Sequence, residues 1–261
     1  MKSRLTPNKL KLLIPGFSVL GLALRLLIEA VAIDEKGLLV RAHPALLALW
    51  VLTAAAALVL VLGVRPIRGP ESYQDAFPTS IPAAVAGTLA AITASQAVKA
   101  HFQAGPVGAV NFMGTIAFYL TGVLMALASV AFIVTAVGRL NGWQPKFLLH
   151  VAVCIYFALK LLNLYRTWSF DPQLNDYCFQ LLACIALTMT AYQLASFDLD
   201  QGSHRKLWLY GLAAVYLSCL AAFDDPLFLV GALWAWTSLT SLRIRRERKR
   251  LEPETIDETE V

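Results

Sequence analysis

Long apolar runs follow one another along this chain, and short polar stretches separate them. Each run holds about 20 residues, which as an α-helix is enough to cross the roughly 30 Å of hydrocarbon in a bilayer. The pattern therefore predicts eight membrane-spanning helices. Their predicted ranges are 12–33, 44–64, 79–98, 112–137, 147–166, 177–197, 206–222 and 226–242.

The composition favours the same class of protein. Hydrophobic residues make up 58% of the chain and charged residues 15%, whereas a soluble domain carries about 25% charged residues. We predict an all-α integral membrane protein, with the lipid bilayer as its main partner.

The two halves of the chain resemble each other. Residues 23–27 read Ala-Leu-Arg-Leu-Leu, and residues 158–162 read Ala-Leu-Lys-Leu-Leu. Two further segments match in the same order, which indicates an ancient duplication. We predict two four-helix repeats, 12–137 and 147–242, joined by a linker at 138–146. Because each repeat holds an even number of spans, the repeats should be parallel, with a pseudo-two-fold axis along the membrane normal.

Basic residues concentrate on one predicted side of the membrane. With the N-terminus inside, 16 of the 22 Lys and Arg residues lie on the inner side and 5 on the outer side. Cytoplasmic loops carry such an excess, so we predict a cytoplasmic N-terminus (1–11), a cytoplasmic charged tail (243–261) and a place in the plasma membrane. The net charge of +5 suits anionic lipid headgroups and requires no nucleic acid.

Two cations within the apolar runs are the main candidates for function. Arg25 and Glu29 lie one turn apart on the first predicted helix, so they can pair, and Lys160 is the counterpart of Arg25 in the second half. If Arg25 and Lys160 face the symmetry axis at equal depth, they attract an anionic or zwitterionic solute. The alternative is an Arg–Glu pair that eases insertion and a Lys that extends to the interface.

Rows of small residues mark the third and seventh predicted helices. In the third, Ala86, Ala90 and Ala94 recur every four residues, and such rows let helices approach closely. We predict that both helices lie inside the bundle, where Ser95 and Gln96 line the solute cavity. Packing alone is the alternative explanation.

The sequence predicts no catalytic residue, no metal site and no cofactor. The metal-binding and phosphate-loop spacings that carry such chemistry are missing from it. Cys178 and Cys219 fall near the outer ends of predicted helices, where a disulfide is one possibility. Packing in the core is the other.

Three functions remain open at this stage. The first is a small-solute transporter or channel, because two related halves create a central path between them. The second is a membrane scaffold or accessory subunit of a larger complex that docks a protein partner through the basic segment from Arg243 to Arg250. The third is an intramembrane enzyme that modifies lipid. The sequence favours transport but does not identify a substrate.

Overall fold

The computed structural model describes residues 7–31, 43–67, 69, 72–105, 112–168 and 174–243. Within these ranges the chain is helical and contains no strand. The predictions for residues 1–6 and for the tail beyond Arg243, which includes most of the basic segment up to Arg250, lie outside the described residues.

Each of the eight predicted ranges corresponds to a helix, and one short helix, α3, lies between the second and third of them. The helices are α1 (Pro7–Val31), α2 (Pro44–Val64), α3 (Tyr73–Ala76), α4 (Ile81–Ala104), α5 (Phe112–Asn141), α6 (Phe147–Trp168), α7 (Leu174–Asp198), α8 (His204–Ala221) and α9 (Leu227–Thr240).

Six of these helices are long and apolar enough to cross a membrane, namely α1, α2 and α4 to α7. The all-helical membrane class is therefore confirmed. Helix α9 has 14 residues, which rise about 21 Å, and α8 has 18 residues and begins His204-Arg205-Lys206. That α8 and α9 also cross the membrane stays a prediction.

Helix α8 lies at the centre of the bundle. It packs against α1, α2, α7 and α9, and 11 of its 18 residues are buried, Trp208, Leu212 and Tyr216 among them. A helix that its neighbours shield from lipid needs less apolar surface than a lipid-facing one. This position accounts for the lower hydrophobicity of α8 relative to the six helices that are apolar enough to cross a membrane.

A close approach of α1 to α8 positions the candidate site. A Cβ atom added to Gly21 would lie 2.7 Å from Cδ1 of Leu220, so the backbone of α1 lies close to this side chain, and a larger residue here would require Leu220 to move. Arg25 follows Gly21 by one helical turn. It is thereby directed towards the turn that joins α8 to α9.

The helices of the two halves pack differently. In the second half, α6, α7 and α8 each contact the next helix along the chain. In the first half, α1 and α2 pack against α8, whereas α4 and α5 pack against α9 and α6, and no comparable interface joins α2 to α4. The superposition of 12–137 on 147–242 as two repeats stays a prediction.

Candidate functional site

Arg25 is a buried cation that binds the α8–α9 turn. The residue is 8% exposed, and its Nη2 donates a hydrogen bond of 2.7 Å to Oδ2 of Asp224. The guanidinium carbon lies 5.6 Å from the ring centre of Phe179 and 5.7 Å from that of Phe223. Within about 6 Å, the faces of aromatic rings attract a cation. Arg25 is thus held by one carboxylate and two rings.

Lys160, on α6, binds Asp225, the residue that follows Asp224 in the α8–α9 turn. Its Nζ donates a hydrogen bond of 2.7 Å to Oδ2 of Asp225 and lies 4.4 Å from the ring centre of Phe228. We call Arg25, Lys160, Asp224 and Asp225 the twin ion-pair cluster. It contains two cations and two carboxylates, so its charges balance.

The local structure of the turn fixes both carboxylates. The backbone N–H groups of Asp224 and Asp225 donate to the carbonyl of Ala221 at the end of α8. The second carboxyl oxygen of Asp225 accepts a hydrogen bond of 2.9 Å from the backbone N–H of Leu227, at the start of α9. A carboxylate is stabilised there by the exposed N–H groups of the helix. Asp225 therefore bridges α9 and Lys160.

The cluster is accessible from its acidic side. The side chains of Asp224 and Asp225 are 25% and 33% exposed, whereas those of Arg25 and Lys160 are 9% and 13% exposed. In addition, Nε of Arg25 is buried and has no hydrogen-bond partner among the described residues. The two carboxylates therefore form the more exposed side of the cluster, and the two cations form its buried side.

The other residues predicted for this site lie elsewhere. Glu29 is exposed, and the carboxylate that binds Arg25 is Asp224, because the turn presents it to the buried side of α1. Ser95 and Gln96 are exposed on α4, and the hydroxyl of Ser95 donates to the carbonyl of Ile92 in its own helix. The structure does not bring these three side chains to the twin ion-pair cluster.

A second polar cluster, which the sequence did not reveal, lies where α5, α6 and α7 approach α3. The imidazole Nδ1 of His150 donates to Oδ2 of Asp198, and both side chains are fully buried. On its other side, Nε2 of His150 lies 3.3 Å from the hydroxyl of Thr135. These residues come from the ends of different apolar runs, so no spacing in the sequence connects them.

Arg139 completes this second cluster. Its guanidinium carbon lies 3.7 Å from the ring centre of Phe77 and 5.1 Å from that of Tyr73. It is 3% exposed, and neither Nη atom has a hydrogen-bond partner among the described residues. Burial raises the pKa of Tyr73 to about 12, so the phenol is neutral beside this cation.

All four cysteines are free, so Cys178 and Cys219 do not form the disulfide that was one possibility. Among the described residues, no group of three or more His, Cys, Asp or Glu side chains could hold a metal ion.

Comparison of the chain with protein-family models, with curated proteins and with solved structures found no match. The class of protein therefore follows from the chain itself. Six apolar helices of membrane-spanning length fit a helical membrane protein with several passes.

Proposed function

We propose that the protein is a small-solute transporter or channel, and that its solute binds at the twin ion-pair cluster. The observation that carries the proposal is the meeting of Arg25 and Lys160 at two adjacent carboxylates. Ionisable groups in membrane-spanning segments are rare and commonly mark the path of a solute or ion.

The positions of the two cations support a site between related halves. Arg25 and Lys160 correspond to each other in the proposed duplication, and each binds one member of the Asp224–Asp225 pair. Both cations therefore contact the same turn, between α8 and α9, which supports the equal depth that the duplication predicts. In the proposed topology of eight spans with cytoplasmic termini, this turn faces the outside.

The charge balance of the cluster favours a zwitterionic solute over a simple anion. An anion that displaced Asp225 from Lys160 would leave a partly buried carboxylate without a counter-charge, which is costly. A zwitterion places its own carboxylate on Lys160 or Arg25 and its ammonium group on the released aspartate. Every charge then keeps a partner, and Phe179, Phe223 and Phe228 keep the site apolar around the ions.

Uptake into proteoliposomes tests the proposal. The panel contains a zwitterionic amino acid mixture, a dicarboxylate and a diamine, each isotopically labelled. The double variant Lys160→Met/Asp225→Asn removes one ion pair without leaving an unpaired charge, so it should fold. We expect uptake of the zwitterions by the wild type and a loss of about tenfold or more in the double variant, since a charge-assisted hydrogen bond contributes about 1.5–3 kcal/mol.

Lys146→Met is the matched control, because Lys146 is an exposed lysine just before the start of α6, about 21 Å along the helix axis from Lys160. It should transport like the wild type. Equal uptake by the double variant and the control would refute the site. If the wild type moves none of the three solute classes, the transport proposal fails. In that case, a protein partner that copurifies in stoichiometric amount would support the scaffold function. Modification of lipid by the protein would support the enzyme function.

A further inference from the structure

A cavity lies at the opposite end of α8 from the twin ion-pair cluster, between the end of α2 and the start of α8. Its volume is about 520 Å³, and Arg65, Ser203, His204 and Arg205 are among the residues that line it. Both arginines are exposed. None of the described residues that line this cavity is an aspartate or a glutamate.

The start of α8 opens onto this cavity. Ser203 is the N-cap residue of α8, and its hydroxyl makes no capping hydrogen bond. The first N–H groups of an α-helix have no acceptor within the helix, and the helix dipole adds positive potential there. An 18-residue helix thus presents backbone donors and positive potential beside two guanidinium groups.

His204 is the observation that points to a particular ligand. His204 is one of the residues that line the cavity and is 4% exposed, and its Nδ1 is buried with no hydrogen-bond partner among the described residues. The other nitrogen, Nε2, lies 3.3 Å from the carbonyl of Arg243. A carbonyl oxygen only accepts, so Nε2 carries the proton and Nδ1 of the neutral ring is an acceptor.

The ring is neutral at physiological pH, because burial lowers the pKa of His204 to about 4. The loop after α2 approaches this ring closely, since a Cβ atom on Gly69 would lie 1.9 Å from Cδ2 of His204. A suitable ligand therefore combines negative oxygens for the arginines and the helix with one hydroxyl donor for Nδ1.

The geometry points to a binding site for a phosphate monoester group in its monoanionic form, whose charged oxygens contact Arg65, Arg205 and the start of α8 while its one P–OH donates to Nδ1 of His204. Guanidinium groups and helix N-termini are the common partners of phosphate in proteins. The group belongs either to a lipid such as phosphatidic acid or to a soluble phosphate. This site does not depend on the proposed transport function.

Binding to the full-length protein in detergent tests the site, with inorganic phosphate measured by calorimetry and phosphatidic acid by native mass spectrometry. We expect Arg65→Gln and Arg205→Gln each to weaken binding about tenfold or more, because each removes a charge-assisted hydrogen bond. Both side chains are exposed, so the variants should fold. Lys206→Gln is the matched control, since Lys206 is exposed beside Arg205 but does not line the cavity.

The outcomes separate the two sources of phosphate. Binding of phosphatidic acid but not of inorganic phosphate supports the site and assigns it to lipid, and the reverse supports it and assigns it to a soluble ligand. The site is refuted if neither binds, or if Lys206→Gln weakens binding as much as Arg205→Gln, which indicates only a diffuse surface potential. Sulfate at equal ionic strength should bind more weakly, because it has no hydroxyl at neutral pH. Equal binding of sulfate would overturn the role of His204.

Discussion

Arg25 and Lys160 bind carboxylates that are adjacent in the chain, although the two cations lie on different helices, α1 and α6. Consecutive Cα atoms are about 3.8 Å apart, so the Asp224–Asp225 turn holds both ion pairs at nearly the same place. Any movement of this turn therefore moves together the carboxylate that binds Arg25 on α1 and the carboxylate that binds Lys160 on α6. In the proposed transporter, a solute that displaced one aspartate would therefore act on both helices.

Replacement of Asp224 should be destabilising. Asp224→Asn leaves the buried Arg25 without its counter-charge, and we expect a loss of about 2–4 kcal/mol in the free energy of unfolding, measured by denaturation in mixed micelles. Glu29→Gln is the control, because Glu29 is exposed, and its effect should stay within about 0.5 kcal/mol. Equal losses in the two variants would mean that both carboxylates neutralise Arg25.

The second polar cluster should also contribute to stability. Asp198→Asn removes the charged acceptor of His150 and a negative charge that interacts with Arg139. Because the site is fully buried, we expect a loss of about 3–5 kcal/mol in the free energy of unfolding. Asp75→Asn, at an exposed position of α3, should leave the free energy of unfolding nearly unchanged. A small change in the free energy of unfolding of Asp198→Asn would show that the second polar cluster contributes little to stability.

Stability should fall as the pH drops from about 6.5 to 4. The pKa of His204 is about 4 in the folded protein and 6.5 for an unperturbed imidazole, so below pH 6.5 the unfolded chain takes up a proton that the folded chain does not. The stabilisation from this residue is complete above pH 6.5 and declines towards pH 4. Thermal unfolding at pH 7.5 and 5.0 measures it. The His204→Gln variant should show a smaller difference between the two pH values.

Cysteine labelling should establish whether α8 crosses the membrane. Gln201 and Pro226 are exposed residues that flank α8, and eight spans put residue 201 inside and residue 226 outside. In a cysteine-free background, we expect an impermeant maleimide to label Pro226→Cys on intact cells and Gln201→Cys only after permeabilisation. Labelling of both on intact cells, or of neither, would mean that α8 does not span.

The apolar runs were sufficient to predict where the helices lie, because the length and apolarity of a spanning helix are local properties. The start of α2 at Pro44 and its end at Val64 match the prediction to the residue. The partner of Arg25 could not be found in this way. Spacing within a helix suggested Glu29, whereas Asp224 lies 199 positions away in the sequence. Ser95 and Gln96 were expected to face inwards, yet a helix with small residues on several faces does not reveal which face is buried.

The separation of Arg25 from Asp224 has a consequence for biogenesis. Chains are synthesised at roughly 5–20 residues per second, so the 199 positions between the two residues correspond to about 10–40 s. Throughout this interval α1 has left the ribosome with a guanidinium group whose acceptor does not yet exist. The ion pair of Arg25 therefore forms only when the last hairpin arrives, and a chain whose synthesis stops before residue 224 keeps this cation without its native carboxylate.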